Sequence, residues 1–386
     1  MNTFTATSAH TATLRLAIAA VAMALGASHL HAATYIVGSC KSGNRFSTIQ
    51  SALDAASAGS TVEVCPGQYL EQLTITKPVT LQGISANNGA LVQILLPASY
   101  ATNVTLNEGS GVETPAVAQV HVDKVSGGPV NLENLEVNGA GVGKNANYFV
   151  GIFYEDSSGT MNEVVAASQN DNPSPEVFGF GMWIQGGSSN PTVTVQNSSI
   201  RDFSIVGIYA VGTQNEPSLN LTLSGNNISS PVTTFSGIEL RQGANPTISG
   251  NVVSGSYAGM FVESTAGSIV GNTILGSDYG ILLEADGTSL KSNRIYNAVY
   301  TGILLALLSP SLKVSQIEGN TLASINLPGS SFVTGEGINL NCKAVSSSNV
   351  NSNTLIDLQY GYRQAPQGFG ANNSYAGVFE QVAVCQ

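Results

Sequence analysis

Between residues 250 and 305 the apolar and polar positions recur in one order three times: GNVVSGSYAGMFVE, GNTILGSDYGILLE and SNRIYNAVYTGILLA. Each copy has an Asn (251, 272, 293), an aliphatic residue two positions later, and a strand that opens on Gly (259, 280, 302) and alternates apolar residues. The period is 21 to 22 residues. A unit this short buries no face by itself and must stack on its neighbours, which predicts a solenoid. Strand openings of the same kind fall at Gly151, Gly181, Gly207, Gly237, Gly337 and Gly361, with spacings of 21 to 35 where coils carry insertions.

Alternation with period two divides each strand into two columns. The inward column is apolar: Ile152 and Tyr154, Met182 and Ile184, Ile208 and Ala210, Ile238 and Leu240, Met260 and Val262, Ile281 and Leu283, Ile303 and Leu305, Ile338 and Leu340. The outward column is mixed. Its third positions run Phe153, Trp183, Tyr209, Glu239, Phe261, Leu282, Leu304 and Asn339, and its fifth positions include Glu155, Gln185, Arg241, Glu263 and Glu284. The recurrent Asn226, Asn251, Asn272, Asn293, Asn320 and Asn353 sit at turns, where the left-handed backbone suits Asn and side-chain amides bond between coils. They read as scaffold.

Before the repeats, FSTIQSALDAASA (46–58) has one apolar helical face, a Ser47–Gln50 capping box and a stop at Gly59, and is placed over the open end of the stack. Short strands follow at 60–65, 72–76 and 78–83. Residues 84–129 carry no clear pattern and are expected as an extended loop or a distorted coil. Long insertions precede Gly181, Gly237 and Gly337, the first long enough for a wall or lid. After Gly361 the pattern fades, and residues 366–386 are expected to cap the last coil.

The run from Phe46 to Gly83, with the coils after residue 130, resembles the right-handed parallel β-helix proteins of the pectin-lyase-like superfamily. The resemblance implies an all-β fold: a single right-handed parallel β-helix over residues 33–386 with a short N-terminal capping helix. Gly67, Tyr69 and Glu71 match the G-x-Y-x-E element of pectin methylesterases, which relatives without that chemistry share. The Q-D-T and D-F-I-F-G segments of those enzymes are missing, Asp202-Phe203-Ser204 being the nearest approach. The N-T-D, D-D, G-H-G and R-I-K set of polygalacturonases is missing too, so neither activity is expected.

Composition narrows the rest. Of 386 residues 42 are Gly and only 10% are charged, with a net charge of −11, which leaves no basic stripe for nucleic acid. Residues 1–32 read as an export signal, with Arg15 before an apolar core from Leu16 to Ala27. No later apolar run is long enough to span a membrane. A secreted, periplasmic or cell-surface protein is expected. Four cysteines suit that compartment, and because the two ends of a stack lie far apart, Cys40 is expected to pair with Cys65 and Cys342 with Cys385.

The outward column carries the functional candidates. Phe153, Trp183 and Tyr209, about 4.8 Å apart from coil to coil, would form an aromatic strip on which sugar rings lie, with Glu239 in the next coil meeting hydroxyls and Phe261 beyond it a further substrate-binding candidate. Arg241, Glu263 and Glu284 are the catalytic candidates for a polysaccharide lyase or glycoside hydrolase. Glu263, Glu284 and Asp286 could hold calcium. In the opposing arrangement, insertions bury the aromatics and Arg241 pairs with Glu263 across strands. The expected function is thus binding or processing of a polysaccharide or other surface glycan. The alternative is a non-catalytic structural or adhesive surface protein that uses the solenoid as a rigid scaffold.

Overall fold

The computed structural model describes residues 33–386 apart from 44, 86–90, 109–111, 141–145, 171–177, 214–217, 264–266, 285–286, 307–315, 325–334, 344–345, 368, 371 and 386, and apart from the side chains of 231–233. The expected export signal and Asp286 lie outside these residues. Among them the chain is a stack of parallel strands in which each coil bonds to the next. The strands are Tyr148–Glu155, Phe178–Gln185, Val206–Val211, Asn227–Leu240, Val252–Val262, Tyr279–Leu283, Thr301–Leu305, Glu336–Asn339 and Tyr360–Ala365 along the face that opens on Gly. Their register places Ile152, Met182, Ile208, Ile238, Met260, Ile281, Ile303 and Ile338 in one row, as the alternation requires. Each is fully buried in the central core.

The opening glycines are needed for close approach between coils. A Cβ on Gly181 would lie 2.7 Å from the carbonyl oxygen of Gly207, and one on Gly259 2.7 Å from that of Gly280. Any side chain there would push neighbouring coils apart.

The asparagines form the expected internal ladder. Asn251 Oδ1 accepts from the backbone N–H and the Nδ2 of Asn226, both at 2.9 Å. Asn272 does the same for Asn251, Asn293 for Asn272, Asn320 for Asn293 and Asn353 for Asn320. The left-handed residue, however, is the one before: Gly225, Gly250, Gly271, Ser292, Gly319 and Ser352 have positive φ. The Asn contributes its amide and leaves the tight turn to its predecessor.

The helix spans Ile49–Ala55, shorter than the 46–58 expected, and its cap differs from the expected box. Thr48 is the N-cap, accepting from Ser51 N–H. Glu71 Oε1 and Oε2 accept from the N–H groups of Ile49 and Gln50 at 2.8 and 2.9 Å. At the other end Lys77 Nζ donates to the carbonyls of Asp54 and Ala56 at 2.8 and 2.6 Å. Opposite charges therefore complement both helix ends. The G-x-Y-x-E element thus has a structural role here, since Tyr69 Oη also donates to the Cys65 carbonyl. Glu71→Ala should lower stability by about 1–2 kcal/mol, with Glu71→Gln losing less, as read from urea unfolding midpoints.

Two other parts differ from expectation. The tail continues the stack: Ser374–Ala376 pairs in parallel with Thr354–Ile356, and Glu380–Val384 with Tyr360–Ala365. The strand before the insertion at 171–177 is likewise a regular coil element, Gly159–Ala167. Residues 84–129 contain a further coil. In Glu113–Asp123, the second half pairs in parallel with Tyr148–Glu155, so that His121 lies beside Phe153. Its first half turns back on Val104–Asn107 in an antiparallel hairpin. The disulfides are Cys40–Cys65 and Cys342–Cys385, each pinning one end of the stack. Among the described residues no helix is long and apolar enough to cross a membrane.

Candidate functional site

The predicted aromatic row exists, but a roof covers part of it. Phe153, Trp183 and Tyr209 are register partners, and the Trp183 and Tyr209 rings stack with centroids 4.0 Å apart. Val104, Leu106 and Ala116 of the hairpin, with Ala118 of the coil that follows it, pack against them in a second apolar core. Phe153 and Trp183 are 0% exposed and Tyr209 is 4% exposed. Two bonds fasten the roof to the stack, from Asn107 N–H to Gln185 Oε1 at 3.0 Å and from Tyr209 Oη to the Glu108 carbonyl at 3.1 Å. The open sugar platform expected at Phe153 and Trp183 is therefore replaced by a dry sandwich, because a strand face this apolar is more stable covered than wet.

Where the roof ends, a cavity of about 520 Å³ opens between the hairpin and the next coils. Its apolar wall is Tyr148, Phe178, Phe180, Trp183, Tyr209 and Phe235. Its polar floor is Glu239, Arg241, Gln242 and Glu263, with Glu108 on the rim. Trp183 brings a buried Nε1 without a partner among the described residues. A buried N–H left unpaired is costly, and an acceptor arriving in the cavity would be the natural remedy.

On the floor Arg241 holds two carboxylates. Its Nη2 lies 2.5 Å from Glu239 Oε1 and its Nη1 2.7 Å from Glu263 Oε2. Gln242 Nε2 donates to the other Glu263 oxygen at 3.0 Å. The guanidinium also sits 4.6 Å above the Phe261 ring centre, a cation–π contact. This is the cross-strand pairing of the second arrangement. Burial pushes the Glu239 carboxyl up to about 7; Arg241 pulls it down, and Glu108 and Glu263 add to the rise. Burial works against the charge on Arg241, but Glu239 and Glu263 outweigh it and drive the guanidinium upward. Glu284, one coil on, is raised by burial and by Glu263, with Arg241 opposing.

Calcium does not suit Glu263 and Glu284. Both Glu263 oxygens are occupied, and a guanidinium stands beside them where a cation would need to bind. Asp286 lies outside the described residues. Another cluster, His121, Asp123 and Glu155, brings three donor atoms within 4.8 Å of one another. Lys124 Nζ already neutralises Glu155 at 2.8 Å, and His121 Nε2 bonds Glu155 at 3.0 Å while stacking on Phe153.

A second aromatic row escaped the strand reading. Phe235, Tyr257, Tyr279 and Tyr300 follow one another with ring centres 5.2 to 6.1 Å apart. Tyr148 and Phe178 stack at 4.9 Å on the far side of the cavity. Phe178, Phe235, Tyr257 and Tyr300 are 37 to 55% exposed. Phe235, Tyr257, Tyr279 and Tyr300 stand one or two positions ahead of the opening glycines, the first three within the strands and Tyr300 just before one, and the sequence does show them there, in FSGIE, YAGMF, YGILL and YTGIL. Phe235 belongs to both the row and the cavity wall, so the two form one continuous surface.

Residues 181–345 match the family model described as a right handed beta helix region. A search of curated protein sequences gives no significant match. Among solved structures the chain is similar to the Dettilon tailspike protein, with 15% identity and a TM-score of 0.54 over 85% of this chain, which spans 64% of the tailspike's length. PfbA, a surface adhesin of Streptococcus pneumoniae, is 11% identical with a TM-score of 0.48, over 86% of this chain and 88% of that one. An alginate lyase from Paenibacillus is 14% identical with a TM-score of 0.47, over 91% and 97%. The stack of parallel coils and this match over residues 181–345 together show the fold of the chain, a right-handed parallel β-helix.

Proposed function

We propose that this chain is an exported glycan-binding protein that holds a polysaccharide segment in the roofed cavity and along the aromatic row leading from it. The observation that carries the reading is the continuity of the two: Phe235 lines the cavity and begins the run through Tyr257 and Tyr279 to Tyr300. Aromatic faces at successive coils suit the C–H faces of successive sugar rings, and the carboxylates and amide of the floor suit hydroxyls. The two disulfides fit a protein that works in an oxidising compartment.

The same floor favours holding over cutting. A glycoside hydrolase needs one carboxyl free to give a proton and one free to act on the sugar or water. Here Arg241 bonds both Glu239 and Glu263. This favours binding over processing within the polysaccharide reading.

Phe235→Ala and Tyr257→Ala change exposed rings and should leave the unfolding midpoint in place. Each should weaken glycan binding roughly tenfold, about 1.4 kcal/mol, in calorimetric titration of the best ligand from a glycan array, and product analysis should return that ligand intact. Unchanged affinity in both variants, or no glycan bound by the parent protein, would refute the reading.

A further inference from the structure

The chain has a single tryptophan, Trp183, and it lines the cavity with a donor that nothing in the protein satisfies. The ring is fully buried, and its Nε1 has no hydrogen-bond partner among the described residues. Bulk water does not reach this N–H, so its partner has to arrive with a ligand. Glu239 stands two coils on in the same row, with Tyr209 between them. Both contacts of Arg241 with Glu239 fall on Oε1, at 2.6 and 2.5 Å, and Oε2 has none among the described residues. The row thus offers an unpaired donor and an open acceptor on the two sides of one ring, carried by backbones about 10 Å apart by coil spacing. Sugar substituents meet this pair differently. A hydroxyl accepts from the indole but brings a donor of its own against an apolar wall. A uronate carboxylate accepts too, but it would lose its water beside an Arg241 already bonded to Glu239 and Glu263. An acetamido group is neutral, its planar trans amide sends C=O and N–H to opposite sides, and its methyl suits the rings of Phe180 and Tyr209 in the wall.

We infer, resting on the glycan reading above, that the cavity takes an N-acetylated amino sugar, whose acetamido carbonyl accepts from Trp183 Nε1 and whose N–H donates to Glu239 Oε2. The probes are two neutral oligosaccharides of equal length and the same linkage, an N-acetylglucosamine oligomer and a glucose oligomer, with an oligogalacturonate as the charged comparison. In calorimetric titration of the full chain the N-acetylated oligomer should bind roughly tenfold tighter than the glucose oligomer, the gain of one or two hydrogen bonds made to groups otherwise unpaired. With one tryptophan in the chain, the indole N–H gives one resonance in the isotope-labelled protein. Only the N-acetylated oligomer should move it downfield, as a hydrogen bond forming at that proton does. Trp183→Phe, which keeps a ring and removes the N–H, should narrow the gap in affinity. Three results overturn acetamido recognition and leave glycan binding standing: equal affinity for the two neutral oligomers, tightest binding of the galacturonate, or an indole resonance that the N-acetylated oligomer leaves in place. Binding of none of the three also overturns it, and the absence of any ligand on a glycan array removes the reading on which it rests.

Discussion

Replacing Trp183 by alanine should cost about 3–5 kcal/mol of stability, the range for emptying a large aromatic site in a packed interior. The ring is fully buried, stacked on Tyr209, met edge-on by Phe180 at 4.8 Å, and roofed by Val104 and Leu106. Its removal leaves a hole that neither side can fill, since the hairpin is fastened at Asn107 and Glu108 and the strands are fixed by their register. Equilibrium urea unfolding followed by circular dichroism measures the loss, with Trp183→Phe expected to recover part of it. The outcome also separates two roles for this residue. A sugar platform would lose ligand affinity at unchanged stability, whereas the roofed ring must lose stability first. A Trp183→Ala protein as stable as the parent would show that the hairpin does not close on the strands.

That contrast marks how far the function was legible in the sequence. Period and alternation identified the stack, the inward column and the asparagine ladder, because each is a local pattern repeated by every coil. The pairing of Cys40 with Cys65 and of Cys342 with Cys385 followed from the same geometry. The roof was hidden because it depends on contacts between residues 104–118 and strands more than thirty residues away, within a stretch whose coil opens on Gln119 instead of Gly. Its signal was present in the alternation of Val120, His121, Val122 and Asp123, which match the inward and outward positions of Ile152 to Glu155. Once the roof is in place, the meaning of the outward column changes. Phe153 and Trp183 become core, Arg241 becomes the tie between Glu239 and Glu263, and the reachable aromatics are those just ahead of the opening glycines. Alternation along a strand says which side chains leave the barrel of the stack, but it does not say what waits outside it.

The second large effect lies in the ladder. Asn272 Oδ1 accepts from both the backbone N–H and the Nδ2 of Asn251, while its own Nδ2 donates to the carbonyl of Ile248 at 3.0 Å and to Asn293 Oδ1 at 3.0 Å. Asn272→Leu, close in volume, should fill the space and still lose about 3–5 kcal/mol. Of this, roughly 1–3 kcal/mol comes from each buried backbone group left without a partner, here the Asn251 N–H and the Ile248 carbonyl. Asn272→Asp keeps the acceptor but loses the donor and places a carboxylate in a fully buried site, so it should be comparably damaging at neutral pH and partly relieved as pH falls and the group protonates. Position matters as much as chemistry. Asn373, the last member, accepts from Asn353 N–H at 2.8 Å but is half-buried, so water can replace it, and Asn373→Ala should cost about 1 kcal/mol. In a stack where each coil contacts only its neighbours, the damage at Asn272 should also stay local. Hydrogen exchange should accelerate in the coils carrying Asn251 and Asn293, with the disulfide-pinned first coils near Cys40 and Cys65 unaffected. Equal costs at Asn272 and Asn373 would mean that the ladder gains nothing from burial, and that packing of the aliphatic column alone holds the coils together.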